Sequence, residues 1–190
     1  MNLVYKILFK FSKFLLFLIP INFKKNHKFL NKNQVINTEI ILSLLKEKIN
    51  PEYILDIGCG HGEWFLKCIN FFPNSKYLLF DGNKLNEDKL AILKKKYINI
   101  TYKICLLSNS IKQLKFFNMG YGSSIYEEKT NFSRKIEYIK SSTLENELSS
   151  LNITSSNNII KLDVQGSEIE IIEGLGKNIS NFEIIILETS

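Results

Sequence analysis

Hydrophobic residues change their spacing repeatedly after Asn37, and each change predicts an element of secondary structure. Short continuous apolar runs, typical of strands buried on both faces, alternate with stretches in which the apolar residues recur at helical spacing. Strands are predicted at residues 53–57, 77–80, 100–107, 159–164 and 183–187. Helices are predicted at residues 38–48, 63–72, 87–96, 144–151 and 168–174. Residues 113–126 are expected to form a hairpin-like excursion, and residues 136–139 a further short strand.

This alternation of strands and helices predicts the fold class. Buried strands separated by helices need crossover connections, which are right-handed and produce a parallel sheet with helices on both faces. We therefore predict an α/β protein with a doubly wound, Rossmann-like sheet. The chain of 190 residues is long enough for one core. We assign residues 36–190 to this domain and residues 1–35 to an N-terminal arm.

The N-terminal arm is both apolar and basic. Lys6, Lys10 and Lys13 are spaced so that a helix would place them on one face, with most of the apolar side chains turned away. The uninterrupted apolar run at residues 14–19 is much shorter than the ~20 residues of a membrane-spanning helix. We predict an interfacial helix in which residues 1–30 rest on an anionic membrane. The alternatives are a helix packed on the domain or on a second copy, and a true signal or anchor.

The composition limits which binding partners and which cellular compartment are expected. The chain has 25 basic and 19 acidic side chains, a net charge of +6, but Arg134 is its only arginine. Lysine lacks the planar fork that reads bases and phosphates, so the charge favours an anionic surface over specific nucleic-acid binding. The 3 cysteines form no CxxC pair and there are only 2 histidines, which argues against a structural metal site or a disulfide scaffold. We predict a cytoplasmic protein, at most peripheral at the inner face of the membrane.

A glycine-rich turn follows the first predicted strand of the domain. Gly58, Gly60 and Gly62 stand at alternate positions between strand and helix, where they allow a tight turn and let a ligand lie against the backbone. Asp56 precedes the turn, and Asp81 ends the next strand at about 20 residues' distance, where nucleotide-binding sheets place an acid on the ribose hydroxyls. The G-x-G-x-G spacing disfavours a nicotinamide dinucleotide. Taken singly, Asp56 could instead stabilise the turn, and Asp81 could be an ordinary strand-end acid.

The turn and its two acids resemble the class I methyltransferases that use S-adenosylmethionine. The resemblance implies that Asp56 helps to organise the methionine end of this cofactor and that Asp81 holds its ribose. It also implies that the three glycines line the cofactor site.

A second string narrows the resemblance. Residues 159–168 contain Lys161, Asp163 and Glu168 and look like the signature of FkbM-type methyltransferases, and the similarity extends over residues 53–190. The resemblance implies transfer of a methyl group to a hydroxyl of a sugar, a surface polysaccharide, a glycolipid or a natural product. The chain departs from the family at residues 59–61, where the family usually has alanine–asparagine, and at residues 81–82, where it has aspartate–glycine in place of the usual glutamate–proline.

Methyl transfer to a hydroxyl needs positioning and a base that accepts the hydroxyl proton. Asp163 and His61 are the candidate bases, and the choice between them stays open. Lys161 shares a strand face with Asp163, so it either orients this carboxylate or neutralises it as a buried pair. Glu168 begins a predicted helix, where a carboxylate also interacts favourably with the helix dipole.

The strand count predicts an open sheet edge. The resemblance implies seven strands, of which the last two form a hairpin beyond the fifth, whereas only five core strands are predicted here. Residues 183–187 would therefore form an uncovered edge strand, and we expect either a C-terminally truncated domain or a partner that covers this edge.

Two other functions remain in view at this point. One is a non-catalytic, membrane-associated module with a nucleotide-shaped pocket. The other is a nucleic-acid methyltransferase, although none of the 3 prolines lies in an N-P-P-[YFW] motif.

Overall fold

The structure is a computed structural model that describes residues 5–10, 38–120, 122–127, 133–151 and 153–189. Residues 5–10 and 188–189 are described through their backbone only.

A parallel sheet forms the centre of the described part of the chain. Its strands are β1 (Tyr5–Lys10), β2 (Tyr53–Ile57), β3 (Lys76–Asp81), β4 (Ile100–Ile104), β7 (Asn158–Leu162) and β8 (Phe182–Thr189). They are arranged in the order β1-β8-β7-β2-β3-β4, and every neighbouring pair is parallel. The five strands from β8 to β4 have the predicted doubly wound arrangement, because the chain runs outward in both directions from β2.

Helices cover both faces of the sheet, as predicted. They are α1 (Thr38–Lys46), α2 (Glu63–Cys68), α3 (Glu87–Lys96), α4 (Leu144–Leu148) and α5 (Glu168–Glu173), with short 3-10 turns at Lys84–Asn86 and Gly176–Asn181. Neighbouring strand residues point to opposite faces: Ile54 joins the core cluster under α1, α2 and α3, whereas Leu55 joins the cluster under α4 and α5. Both side chains are fully buried, which explains the continuous apolar runs in the sequence.

Several elements end earlier than the hydrophobic spacing predicts. Helix α2 ends at Cys68, and its expected last turn becomes a separate turn in which the backbone N–H of Phe72 bonds to the Cys68 carbonyl. Phe72 is nevertheless buried, and Pro73 follows it. The apolar spacing therefore reflects residues that are buried beyond the end of α2. The helix itself cannot extend through Pro73.

The excursion after β4 pairs differently from the prediction. Strand β5 (Gln113–Asn118) pairs antiparallel with β6 (Lys135–Lys140), which is the strand that was predicted separately at residues 136–139. The hairpin-like excursion predicted for residues 113–126 therefore extends further along the chain, to β6. Among the described residues of that stretch, an isolated antiparallel bridge joins Phe117 to Ser124.

The N-terminal arm contributes a strand to the sheet. Residues 5–10 form β1, which pairs in parallel with β8 from Tyr5 opposite Ile184 to Lys10 opposite Thr189. The prediction of a helix was therefore wrong for residues 5–10. Pairing with β1 satisfies the N–H and C=O groups that β8 would otherwise leave free. The rest of the predicted helix lies outside the described residues.

The same pairing contradicts the prediction of an open sheet edge at residues 183–187. Strand β8 has β7 on one side and β1 on the other, so it is not an edge strand. In the described ranges, no helix is both long and apolar enough to cross a membrane.

Candidate cofactor and acceptor site

A cavity of about 460 Å³ lies beyond the carboxyl ends of β2, β3 and β4 and the loop after β7. The strand order switches between the parallel neighbours β2 and β7, because the chain first runs outward from β2 to β3 and β4 and then returns to the other side at β7. Open α/β sheets bind ligands at this switch point. Residues 120 and 122–125 on the connection between β5 and β6 close another side. The volume lies within the range of small-molecule sites.

The glycine turn forms one wall of this cavity. Gly58 and Gly60 line it, and both have left-handed backbones, with φ of +72° and +55°. The backbone N–H of Gly58 donates to the carbonyl of Phe80 at 2.9 Å. A Cβ on Gly58 would lie 1.9 Å from the carbonyl oxygen of Asp163, so only glycine lets the two strand ends approach so closely.

Gly62 has a different role from its neighbours. It does not line the cavity, and a Cβ at this position would lie 2.4 Å from Cδ1 of Leu93. This glycine therefore allows close packing between α2 and α3 and makes no contact with the cavity.

Asp81 lies on the cavity wall at the end of β3 and is tied to the glycine turn. Its Oδ2 accepts the backbone N–H of Gly60 at 2.7 Å, and its Oδ1 accepts the backbone N–H of Asn83 at 2.8 Å. Burial raises the pKa of Asp81, although the N–H groups of Asn83 and Gly60 act in the opposite direction. The side chain of Asn86 also acts on this carboxylate. A carboxylate has about four acceptor positions, so these partners still leave capacity for a hydroxyl donor from the cavity.

Lys161 links two carboxylates behind and beside the cavity wall. Its Nζ lies 3.2 Å from Oδ1 of Asp56 and 3.4 Å from Oδ2 of Asp163. The side chains of Asp56 and Lys161 are 0% and 5% exposed, whereas that of Asp163 is 26% exposed and lines the cavity. The shared face that strand periodicity predicts for Lys161 and Asp163 is confirmed by this contact.

The charges of this cluster are strongly coupled. Burial raises the pKa of Asp56, and the attraction of Lys161 opposes it only in part. Burial lowers the pKa of Lys161, but the carboxylates of Asp56 and Asp163 outweigh this effect, so the pKa is raised. Neither oxygen of Asp56 accepts a well-aligned hydrogen bond from the described residues. Lys161, whose Nζ lies 3.2 Å from Oδ1, is therefore its main electrostatic support.

The loop after β7 is held in shape by Glu168. Its carboxylate accepts the backbone N–H groups of Val164 at 3.2 Å and of Gly166 at 3.1 Å. Glu168 is buried at the start of α5. Its carboxylate holds the loop through these two bonds, and it also interacts favourably with the helix dipole.

A polar network that the sequence pattern did not predict joins the β5–β6 sheet to the turn after β3 and to the loop after β7. Asn83 and Asn118 exchange side-chain amide bonds of 3.0 and 3.1 Å. Ser124 donates its hydroxyl to the carbonyl of Gln165 at 2.8 Å. Asn83 and Ser124 are buried and line the cavity. A turn asparagine and a loop serine carry no sequence signal that separates them from ordinary surface residues, so only their burial identifies them.

Five of the eight residues predicted to bind the cofactor or to act in catalysis meet at the cavity: Gly58, Gly60, His61, Asp81 and Asp163. Asp56, Gly62 and Lys161 lie behind its wall. Within the described ranges, no group of three or more His, Cys, Asp or Glu side chains is placed to hold a metal ion.

Comparison with protein families decides the relationship of the chain. Residues 56–190 match the family described as the methyltransferase FkbM domain. The match starts at Asp56 and includes every residue of the cavity wall described above. The chain belongs to the FkbM methyltransferase family. The resemblance seen in the sequence is therefore confirmed. No curated protein sequence matches the chain.

Solved structures of methyltransferases are similar to the FkbM domain described here. The FkbM methyltransferase of Methylobacillus flagellatus KT has 16% identity and a TM-score of 0.49, with 72% of this chain and 32% of that chain covered. A precorrin-6y C5,15-methyltransferase of Geobacter metallireducens GS-15 has 15% identity and a TM-score of 0.39, with 77% and 59% covered. Coclaurine N-methyltransferase, solved with N-methylheliamine and SAH, has 16% identity and a TM-score of 0.30, with 41% and 24% covered. The chain thus spans about a third of the length of the first of these proteins.

Proposed function

We propose that this FkbM domain is an S-adenosylmethionine-dependent methyltransferase that O-methylates a hydroxyl of a sugar, a surface polysaccharide, a glycolipid or a natural product. Family membership supports the methyltransferase activity. The observation that carries the choice of cofactor is Asp81, which stands at the end of β3 on the wall of a 460 Å³ cavity with acceptor capacity left.

The residues of the cavity fit this cofactor. Asp81 would accept the ribose hydroxyls, and the left-handed glycines Gly58 and Gly60 would let the amino-acid end approach the backbone. Phe80, Leu106 and Phe116 supply an apolar wall for the adenine ring. When bound, the cofactor supplies an electrophilic methyl group on its sulfonium.

Asp56 would act on the cofactor only indirectly. It is fully buried and does not line the cavity, so its expected role at the methionine end would be exerted through the strand end and the turn that it precedes.

The acceptor side of the cavity is formed by Asp163 and His61. Both line it, and Asp163 is the better fixed of the two because Lys161 and Gln165 contact its two oxygens at 3.4 and 2.9 Å. His61 is more exposed and lies with its Nδ1 3.6 Å from Glu63. In this proposal Asp163 orients the acceptor hydroxyl, and its proton passes to Asp163 or to His61.

Asp81→Ala tests the cofactor site directly. Calorimetry with S-adenosylmethionine should show binding to the unaltered protein and none of comparable strength with NAD. The variant should lose about 1.5–3 kcal/mol of binding free energy, the range for hydrogen bonds to a charged group, or about a 10- to 150-fold weaker Kd. Asp88→Ala on α3 removes an exposed carboxylate and should leave the Kd unchanged. Equal binding by a folded Asp81→Ala variant would remove this residue from the site, and preference for NAD would refute the cofactor assignment.

We further propose that residues 1–30 contact an anionic membrane peripherally, on its cytoplasmic face. Because deletion of these residues would also remove β1, the test replaces Lys24, Lys25 and Lys28 by glutamine. Each lysine near such a surface contributes about 1 kcal/mol. The affinity for phosphatidylserine vesicles, measured by sedimentation at low salt, should therefore fall by about 150-fold. The control replaces three exposed lysines of the domain by glutamine and should bind as before: Lys46, Lys89 and Lys95. Equal losses in both variants would indicate diffuse charge and contradict a specific arm.

A further inference from the structure

Gln165 has a backbone conformation that its residue type does not favour. Its φ is +55°, and it is the only residue other than glycine with a positive φ in the described part of the chain. The left-handed region costs a side-chain-bearing residue about 1–2 kcal/mol. Such outliers persist where the surrounding structure holds them, and they concentrate at functional sites. Gln165 lies on the cavity wall, two residues after Asp163.

The unusual conformation lets Gln165 make two different contacts. Its side-chain Nε2 donates to Oδ1 of Asp163 at 2.9 Å. Its backbone carbonyl accepts the hydroxyl of Ser124, which belongs to the connection between β5 and β6. The other oxygen of Asp163 faces Nζ of Lys161 at 3.4 Å. Each oxygen of the Asp163 carboxylate therefore has its own partner: the buried ammonium group of Lys161 for one and the side-chain amide of Gln165 for the other.

We propose that Gln165 is a positioning residue that fixes the carboxylate of Asp163 toward the cavity. The effect on methyl transfer rests on the function proposed above, but the positioning itself does not. A glycine at this position would satisfy the left-handed turn without strain. The turn alone therefore does not account for glutamine, whereas the amide bond to Asp163 does.

Several charged and titratable groups surround the carboxylate of Asp163. Asp56 on β2 and Lys161 on β7 lie behind it. Glu168 on α5 is turned to backbone N–H groups of the same loop, and Asp81 and His61 line the same cavity. None of these residues is altered in the test, so a change in the carboxyl signal of Asp163 would report the loss of the amide.

The test compares the ¹³C NMR signals of the aspartate carboxyl groups at pH 7 in the full chain without cofactor. The Asp163 signal is assigned with Asp163→Asn, and the exposed Asp88 serves as the internal reference. Gln165→Gly keeps the left-handed backbone and removes the amide donor to Oδ1 of Asp163. We expect the Asp163 signal to move from its position in the unaltered protein while the Asp88 signal stays, and resistance to urea to be unchanged or improved. Gln165→Asn also tolerates the left-handed region but has a shorter arm, and it should move the Asp163 signal in the same direction.

An unchanged Asp163 carboxyl signal in either folded variant would overturn the proposal. A Gln165→Gly variant that fails to fold would also contradict it, because glycine should accept this backbone more easily than glutamine does. Since the NMR measurement uses no cofactor, its outcome is independent of the calorimetry with S-adenosylmethionine. Loss of cofactor binding would refute the proposed function, and an unmoved Asp163 would refute only the positioning role.

Discussion

Replacement of Lys161 by methionine should destabilise the domain by about 3–5 kcal/mol, the usual cost of removing one partner of a buried ion pair. Methionine has a similar length and fills the space of the lysine stem, so the main loss is the charge. Asp56 would remain fully buried, without its counter-ion and without a hydrogen-bond donor among the described residues. The measurement is the free energy of unfolding in urea at pH 7.

The same variant should show a distinctive dependence on pH. Burial holds the folded pKa of Asp56 above its ordinary value, and removal of Lys161 takes away the main opposing effect. The folded state then binds a proton that the unfolded state has lost. This contribution to stability is fully present below the unfolded pKa of about 4 and is lost as the pH rises through the raised folded pKa. The deficit of Lys161→Met should therefore be smaller at pH 5 than at pH 8.

A double variant separates charge from packing. Adding Asp56→Asn to Lys161→Met leaves no buried charge at this position and should recover a large part of the lost stability. If the double variant is as unstable as Lys161→Met alone, or if the deficit does not change with pH, the loss comes from packing and the electrostatic account of this cluster is wrong.

Replacement of Gly58 by alanine should cost about 2–5 kcal/mol. The left-handed backbone contributes about 1–2 kcal/mol, and overpacking against the strand end about 1–3 kcal/mol. The new Cβ would be placed 1.9 Å from the carbonyl oxygen of Asp163, so β2 and the loop after β7 would have to separate. Because both strand ends form the cavity wall, cofactor binding should be lost together with stability. Urea unfolding and calorimetry measure the two effects.

The chain offers a matched control for this substitution. Gly120 also has a left-handed backbone, with φ of +76°, but a Cβ there would meet no atom within 4 Å. Gly120→Ala should therefore cost only the backbone contribution of about 1–2 kcal/mol. Equal losses at Gly58 and Gly120 would mean that the contact with Asp163 relaxes easily and that the close approach of the two strand ends has little energetic weight.

Much of the cavity wall could be predicted because its signals are local in the sequence. Gly58 and Gly60 follow a strand directly, and Asp81 ends the next one, so a parallel sheet brings them to the same edge whatever the details of packing. The contact between Lys161 and Asp163 follows from the two-residue repeat of a strand, even though β7 ends at Leu162 and Asp163 lies just beyond it.

Other features depended on contacts between segments that are distant in the chain. The pairing of β5 with β6 joins strands separated by a long connection, and the hydrophobic spacing of either strand is the same with any partner. The lysines of residues 5–10 resemble one face of a helix, yet the free backbone of β8 stabilises a strand there.

The sequence by itself therefore determined the fold class, the positions of the five core strands and the residues of the glycine turn with its acid, because burial periodicity and glycine geometry act over a few neighbouring residues. Only the tertiary structure decided which charges face the cavity. Asp56 and Lys161 lie behind the wall, Asp163 lies on it, and Gln165 contacts Asp163 from a left-handed backbone. Those outcomes depend on how closely β2, β3 and β7 approach one another, which no local pattern records.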